Sequence, residues 1–197
     1  MALDKPISPR LVYREIQTPG GYIRRQVWSA PLAASATAII SAHALDGSTL
    51  TTFVAQPDKP RNVQIVASGS TTANVTINGT NIRGDSISET LALNGTTPVI
   101  GNHAFASITS IVLPTVGATT INVGTGVKLG LDRRMAEASV IDAYTDGVRE
   151  TTAATVAFSA TTTSLNTVST NTAPNGTRNF SVIFVTTEVT DKSGTTS

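Results

Sequence analysis

The chain is 197 residues long, 40% hydrophobic but only 5% aromatic, with 14% charged residues and a formal net charge of +1. That length allows one large or two small domains, and the core must be built from Val, Ile, Leu and Ala. A net charge so near zero supplies no field to draw in nucleic acid or an anionic membrane, and the absence of cysteine excludes disulfides and thiolate-bound metals.

Charged residues fall well below the usual quarter or so, and Thr, Ser and Asn supply most of the other polar groups. Thr is β-branched and suits the wet face of a strand. Few charges and many hydroxyls suit a protein that lives packed against neighbours. The opening Met1-Ala2-Leu3-Asp4-Lys5-Pro6 lacks the basic-then-apolar order of a secretory signal. No apolar run approaches the roughly 18–20 residues of a bilayer span. The expectation is a soluble protein made in the cytoplasm.

Residues 1–35 are set apart as an extended N-terminal arm. They hold Pro6, Pro9, Pro19 and Pro31, which rule out a long helix or a central strand. They also hold Arg10, Tyr13, Arg14, Tyr22, Arg24, Arg25 and the sole tryptophan, Trp28. Trp, Tyr and Arg are enriched at interface hot spots, so these seven are the candidate contact residues. A second reading makes Tyr22 to Trp28 the first strand, with its aromatics capping the core. The two agree if the arm lies before Pro19.

Residues 36–190 are expected to form the β domain, with 60–131 and 152–189 as possible subdomains and 191–197 as a polar tail. Ala-rich Leu32 to Ile40 fits a short helix or a strand running into a loop. Asp46-Gly47 is a turn pair, and Thr49 to Val54 has strand composition. Then come apolar bursts at Val63–Val66, Asn74–Ile77, Ile87–Leu93, Ile108–Leu113 and Ile121–Val127. Turn formers separate them: Ser68-Gly69, Asn78-Gly79, Arg83-Gly84-Asp85, Asn94-Gly95, Pro114 with Gly117. Strands at this spacing signify an all-β sandwich or barrel. After Leu131 the charges thicken, from Asp132 to Asp142, as in a short helix or a crossing loop. Strand composition resumes at Thr155–Phe158 and Thr161–Asn171. Pro174-Asn175-Gly176 is a turn, and Phe180–Val185 is the strongest strand of the last third. Phe180, Val182 and Phe184 share one face, Ile183 and Val185 the other. Two apolar faces imply a central strand, or a face covered by another subunit.

Sites for bond chemistry are poorly represented. His43 and His103 lie far apart, and no Gly-x-Ser-x-Gly elbow accompanies them. Two histidines without cysteine make a poor zinc site. The stretch from Asp142 to Gly147 opens like a calcium loop, but Tyr144 and Ala153 stand where ligands belong. Gly124 and Gly126 match no nucleotide-binding spacing and fit a bulge or tight corner. Arg83-Gly84-Asp85 is an adhesion tripeptide in letter, and more simply a hairpin tip with Gly at positive φ. No catalytic, metal or cofactor residues are assigned, and an enzyme is not expected.

The run Gly79 to Leu91, with Asn94-Gly95, His103 to Ile111, Val123 to Leu131 and Thr172 to Phe180, resembles segments of virion structural proteins of tailed bacteriophages. The likeness spans roughly residues 60–190 and is one of texture and spacing. It implies an Ig-like or related β-sandwich located in the virion. It implies a capsid decoration (cement) protein whose partners are the major capsid protein and copies of itself. A tail-tube or neck subunit forming rings is the alternative. A carbohydrate-binding or adhesion module, with Tyr13, Trp28 and Tyr144 as aromatics, is a further one.

Overall fold

Alternation in the sequence becomes alternation in space. In Asn74–Thr80, Val75 and Ile77 are fully buried while Asn74, Thr76 and Asn78 keep contact with solvent, as the period-2 pattern requires. The computed structural model describes residues 21–188 and, as backbone only, 16–18. The seven-residue polar tail 191–197 lies outside the described residues, and so do Arg10, Tyr13 and Arg14.

The described residues are all-β. In chain order the strands are β1 (Ile16–Thr18), β2 (Gly21–Trp28), β3 (Ser35–Asp46), β4 (Thr49–Leu50), β5 (Arg61–Ala67), β6 (Asn74–Thr80), β7 (Ser86–Ala92) and β8 (Val99–Phe105). Then follow β9 (Ser107–Val112), β10 (Thr115–Gly130), β11 (Val140–Thr145), β12 (Val148–Arg149), β13 (Thr155–Ala157), β14 (Thr167–Ser169) and β15 (Phe180–Thr186). A 3-10 turn at Thr163–Leu165 precedes β14.

Three antiparallel sheets result. One has the order β4-β9-β6-β7. A second runs β13-β14-β10-β5-β8, with β3 also paired to β10. The third is β1-β2-β15-β11-β12. The first two enclose one core: Ile39, Val63, Ile65, Ile121 and Val123 pack with Val75, Ile77, Leu91, Ile108 and Ile111. The third sheet lays Trp28, Ala143, Phe180, Val182 and Phe184 over Leu129, Leu131, Met135 and Val168. The sixteen-residue β10 therefore serves both cores, Ile121 and Val123 in one and Leu129 in the other.

Several expectations change here. The arm expected over 1–35 does not extend through Gly21–Trp28, which pairs with β15 from Tyr22 to Trp28. Pro19 and Pro31 bracket this strand rather than interrupt it. Strand composition at Thr49–Val54 yields only the two-residue β4. Ala-rich residues 35–46 take the strand option, and the charged stretch after Leu131 takes the loop option before β11 begins. Asn78-Gly79 is not a turn: it lies within β6 at a register shift against β9, where a Cβ on Gly79 would overlap the Ser107 carbonyl. Glycine is needed there for the close backbone approach of a bulge. At the turns, Gly47, Gly84, Gly95 and Gly176 have the positive φ expected of them.

Candidate interaction face

In β2 the side chains divide cleanly. Gln26 and Trp28 point inward, and Trp28 is 3% exposed. Ile23, Arg25 and Val27 point outward, and Val27 is 51% exposed. The same division runs through β15, where Phe180, Val182 and Phe184 fill the core while Ile183 and Val185 remain half-buried on the outside. In β11, Ala143 faces in, Asp142 and Tyr144 face out, and a bulge leaves Ile141 50% exposed. Ile23, Val27, Ile183, Val185 and Ile141 belong to neither core. They form one open sheet face with an arginine at one side and a carboxylate at the other.

The register fixes the pattern of that face. Arg25 pairs with Ile183, and Ile183 with Asp142. Val27 pairs with Ser181, Ser181 with Tyr144, and Tyr144 with Arg149. Residues directly opposite in an antiparallel ladder share a face. Arg25 donates to Ser181 Oγ at 3.1 Å. Arg149 is ion-paired with Asp142.

Of the seven candidate contact residues, four fall among the described ones. Trp28 is corrected: it is a core residue, because the large indole has more apolar area to bury than any other side chain in the sheet. Arg24 lies on the inner side and holds Asp132, its Nε donating to Oδ1 at 3.0 Å. Tyr22 sits partly buried at the end of that same row. Arg25 alone of the four projects from the open face. Sequence reasoning did not assign Ile141, Asp142, Tyr144 or Arg149 to a strand pair. The missed signal was Asp146-Gly147, with φ of 51° and 82°, the positive pair of a tight hairpin turn between β11 and β12.

Groups with chemical potential elsewhere are engaged by the fold. His103 Nδ1 lies 2.8 Å from Ser164 Oγ, and Ser164 is 2% exposed. The nearby Glu89 carboxylate accepts from the backbone N–H groups of Asn102 at 2.6 Å and His103 at 3.4 Å. It thus satisfies the outer edge of β8. His43 Nδ1 lies 2.9 Å from its neighbour's carbonyl, Ala44 O. Asp142, Asp146 and Glu150 do not converge. Asp142 pairs with Arg149, Asp146 accepts from Asn179 N, and Glu150 accepts from Asn171 N, Thr172 N and Thr145 Oγ1. Among the described residues no group of three potential ligands is placed to hold a metal ion. A cleft of about 330 Å³ between Ile141–Ala143 and Arg149–Ala154 is lined by these same engaged groups.

The Arg83-Gly84-Asp85 tip is likewise tied down. Arg83 donates to Asp132 O at 3.0 Å and is ion-paired with Glu188, which also binds Arg134. Burial pushes the Glu188 carboxyl up, and hydrogen bonds from Arg83 and Arg134 outweigh it, so its pKa lies below the ordinary value. The Asp46 carboxyl is also lowered, by hydrogen bonds from Ser48 at the Asp46-Gly47 turn. Among the described residues no helix is long and apolar enough to cross a membrane. No protein-family model, curated protein or solved structure matches the chain.

Proposed function

We propose that this chain is a structural subunit of a virus particle, a decoration protein that stabilises an assembled capsid lattice by protein–protein contact. The observation that carries this reading is the open face of β2, β15 and β11, with Val27, Ile141, Ile183 and Val185 outside both cores. Contiguous exposed apolar residues with a polar rim mark interaction surfaces. A cysteine-free, hydroxyl-rich scaffold and the resemblance to tailed-phage virion proteins support the same reading.

The mechanism is mechanical. Each contact of standard size buries about 800 Å² per partner. Many copies held on one lattice reinforce each other through effective concentration, so seams between capsid subunits become harder to open. Arg10, Tyr13 and Arg14, in the chain leading to β1, are candidates for the contact with capsid protein.

The test is co-sedimentation with empty shells of the cognate capsid protein. Wild type should pellet with shells. A deletion of residues 2–15 should remain folded but stay in the supernatant. Val27→Asp should weaken binding, whereas Val54→Asp, at a position 76% exposed and outside that face, should not. A wild-type chain that never pellets with shells, or a Val27→Asp chain that pellets as well as wild type, defeats the reading.

A further inference from the structure

We infer that the open face of β2, β15 and β11 is self-complementary and closes on the same face of a second copy, about a two-fold axis running along β15. This rests on reading the face as a contact surface, and it names what covers it. The register supplies the reason. Arg25, Ile183 and Asp142 form one cross-strand row, with β15 in the middle. A two-fold axis parallel to β15 sets β2 of one copy over β11 of the other. Ile183 then meets itself, Arg25 faces the partner's Asp142, and Asp142 faces the partner's Arg25. In the adjacent row Val27 faces the partner's Tyr144, while Ser181, buried and bonded by Arg25, stays below the contact. Val185 meets itself in the row beyond.

Charge decides the direction of the axis. An axis running across the strands would place β2 on β2, setting Arg25 against Arg25 and Asp142 against Asp142. Like charges brought together at an interface oppose association, so of the two it is the axis along β15 that satisfies both. Asp142 can serve two arginines, since a carboxylate has about four acceptor sites, and its bond to Arg149 need not break. Stacked sheets lie about 10 Å apart, a gap that an arginine and an aspartate side chain span together. An aligned crossing of about −30° leaves the central row nearly in register.

Size agrees with a reversible dimer. Five strands about 4.8 Å apart, three of them about 20–26 Å long and two only about 7–10 Å, give a flat footprint of roughly 400 Å² before side-chain relief. That is about half of the roughly 800 Å² per partner of a standard interface, the size of a weak, reversible contact. The closed two-fold also presents two N-terminal stretches from one particle, which strengthens attachment to a lattice.

The test is sedimentation velocity across a concentration series. Wild type should pass from monomer to dimer. Arg25→Asp and Asp142→Arg should each raise the dissociation constant about tenfold or more, because each homodimer then holds two like-charge contacts. Mixing these two variants should restore dimers: one contact joins the two introduced charges and the other the two native ones. Ile183→Lys, which puts two ammonium groups on the axis of its homodimer, should be monomeric alone. Unchanged thermal midpoints would establish that the variants fold; should one charge variant fail to fold, Ile183→Lys still decides. A wild type that stays monomeric overturns the inference, whether residues 1–15 or another protein covers the face. So do single variants that dimerise like wild type, or a mixture that stays monomeric. Those outcomes leave the pelleting of the wild type with shells, and its loss in the 2–15 deletion, untouched, so the two readings fail separately.

Discussion

Removing the side chain of Asn166 should cost about 4 kcal/mol, an unusually large effect for a position outside both cores. Asn166 is fully buried. Its Oδ1 accepts from Met135 N at 2.9 Å and Ser159 N at 3.0 Å. Its Nδ2 donates to Ser159 O, Thr162 O and Thr163 O at 3.0, 2.8 and 3.3 Å. One amide therefore pins the crossing loop after β10 to the turn before β14. In Asn166→Ala the buried Met135 N–H loses its acceptor, costing about 1–3 kcal/mol. The other partners lose roughly 0.5–1 kcal/mol each. Asn166→Asp keeps the acceptor oxygen but turns its second oxygen toward carbonyls and buries a charge, so at neutral pH it should be worse than alanine.

Acid should separate those two variants. The introduced carboxyl is stabilised in its neutral form, which can donate to a carbonyl, so its folded pKa lies above the unfolded value of about 3.9. Between those values the native state binds more protons than the unfolded state. Stability then rises as pH falls. The aspartate variant should gain on the alanine variant from about pH 7 to pH 5. Urea unfolding followed by the fluorescence of Trp28, the sole tryptophan, measures both. Alanine and aspartate variants within about 1 kcal/mol of wild type at neutral pH would refute the assignment of Asn166 as the hub of this loop.

Other perturbations test the remaining joints. Trp28→Ala should cost about 3–5 kcal/mol by chemical denaturation, while the neighbouring Val27→Ala should stay within about 0.5 kcal/mol. Trp28→Phe should be milder than alanine, since the buried Trp28 Nε1 has no hydrogen-bond partner among the described residues. Gly124→Ala places a Cβ on the Ser35 carbonyl and 2.5 Å from the Ala36 carbonyl carbon. Because the obstructing atoms are β3 backbone, β3 and β10 must separate, and a loss of about 3 kcal/mol or more in unfolding free energy is expected. Glu188→Gln should destabilise the chain at neutral pH. Because the native Glu188 pKa is lowered, its contribution is present above the ordinary value of 4.5 and disappears as pH falls through the lowered one. Thermal midpoints of wild type and variant should therefore converge in acid.

How much of this was legible depended on whether the signal was local. The β5, β6, β7, β9 and β10 strands could be read because Val and Ile alternate with Thr, Asn and Ser between turn residues. The β8 strand was missed because Gly101-Asn102-His103 interrupts its apolar pattern. Its order comes instead from Glu89, on another sheet, accepting its edge N–H groups. Composition left Trp28 between an interface and a core reading, and the structure takes the core one. Tryptophan is enriched at interfaces, but it is also the side chain with most to gain from burial, and the choice rests on whether β2 finds a strand to pair with. Its partner, β15, lies more than 150 residues away, beyond the reach of any sequence window. The hub Asn166 carried no signal either, since an asparagine in a Thr/Ser-rich stretch looks like any other.

The open face was half legible, and the half that could not be read explains why it exists. The Phe180–Val185 run has two apolar sides, yet nothing local says which is covered. The structure assigns the phenylalanine side to the core and leaves Ile183 and Val185 outside. That choice follows area: two phenylalanines bury more surface than two aliphatic side chains, so the sheet turns its heavier face inward. A sheet with two apolar faces needs two covering layers. Among the described residues only one is provided, by Leu129, Leu131, Met135 and Val168. Arg25 and Asp142, two strands apart in a single row, keep that second side from being uniformly greasy and restrict which surface can settle on it. The same register that buries Phe184 against the core therefore sets Arg25 and Asp142 beside its outer neighbour Ile183.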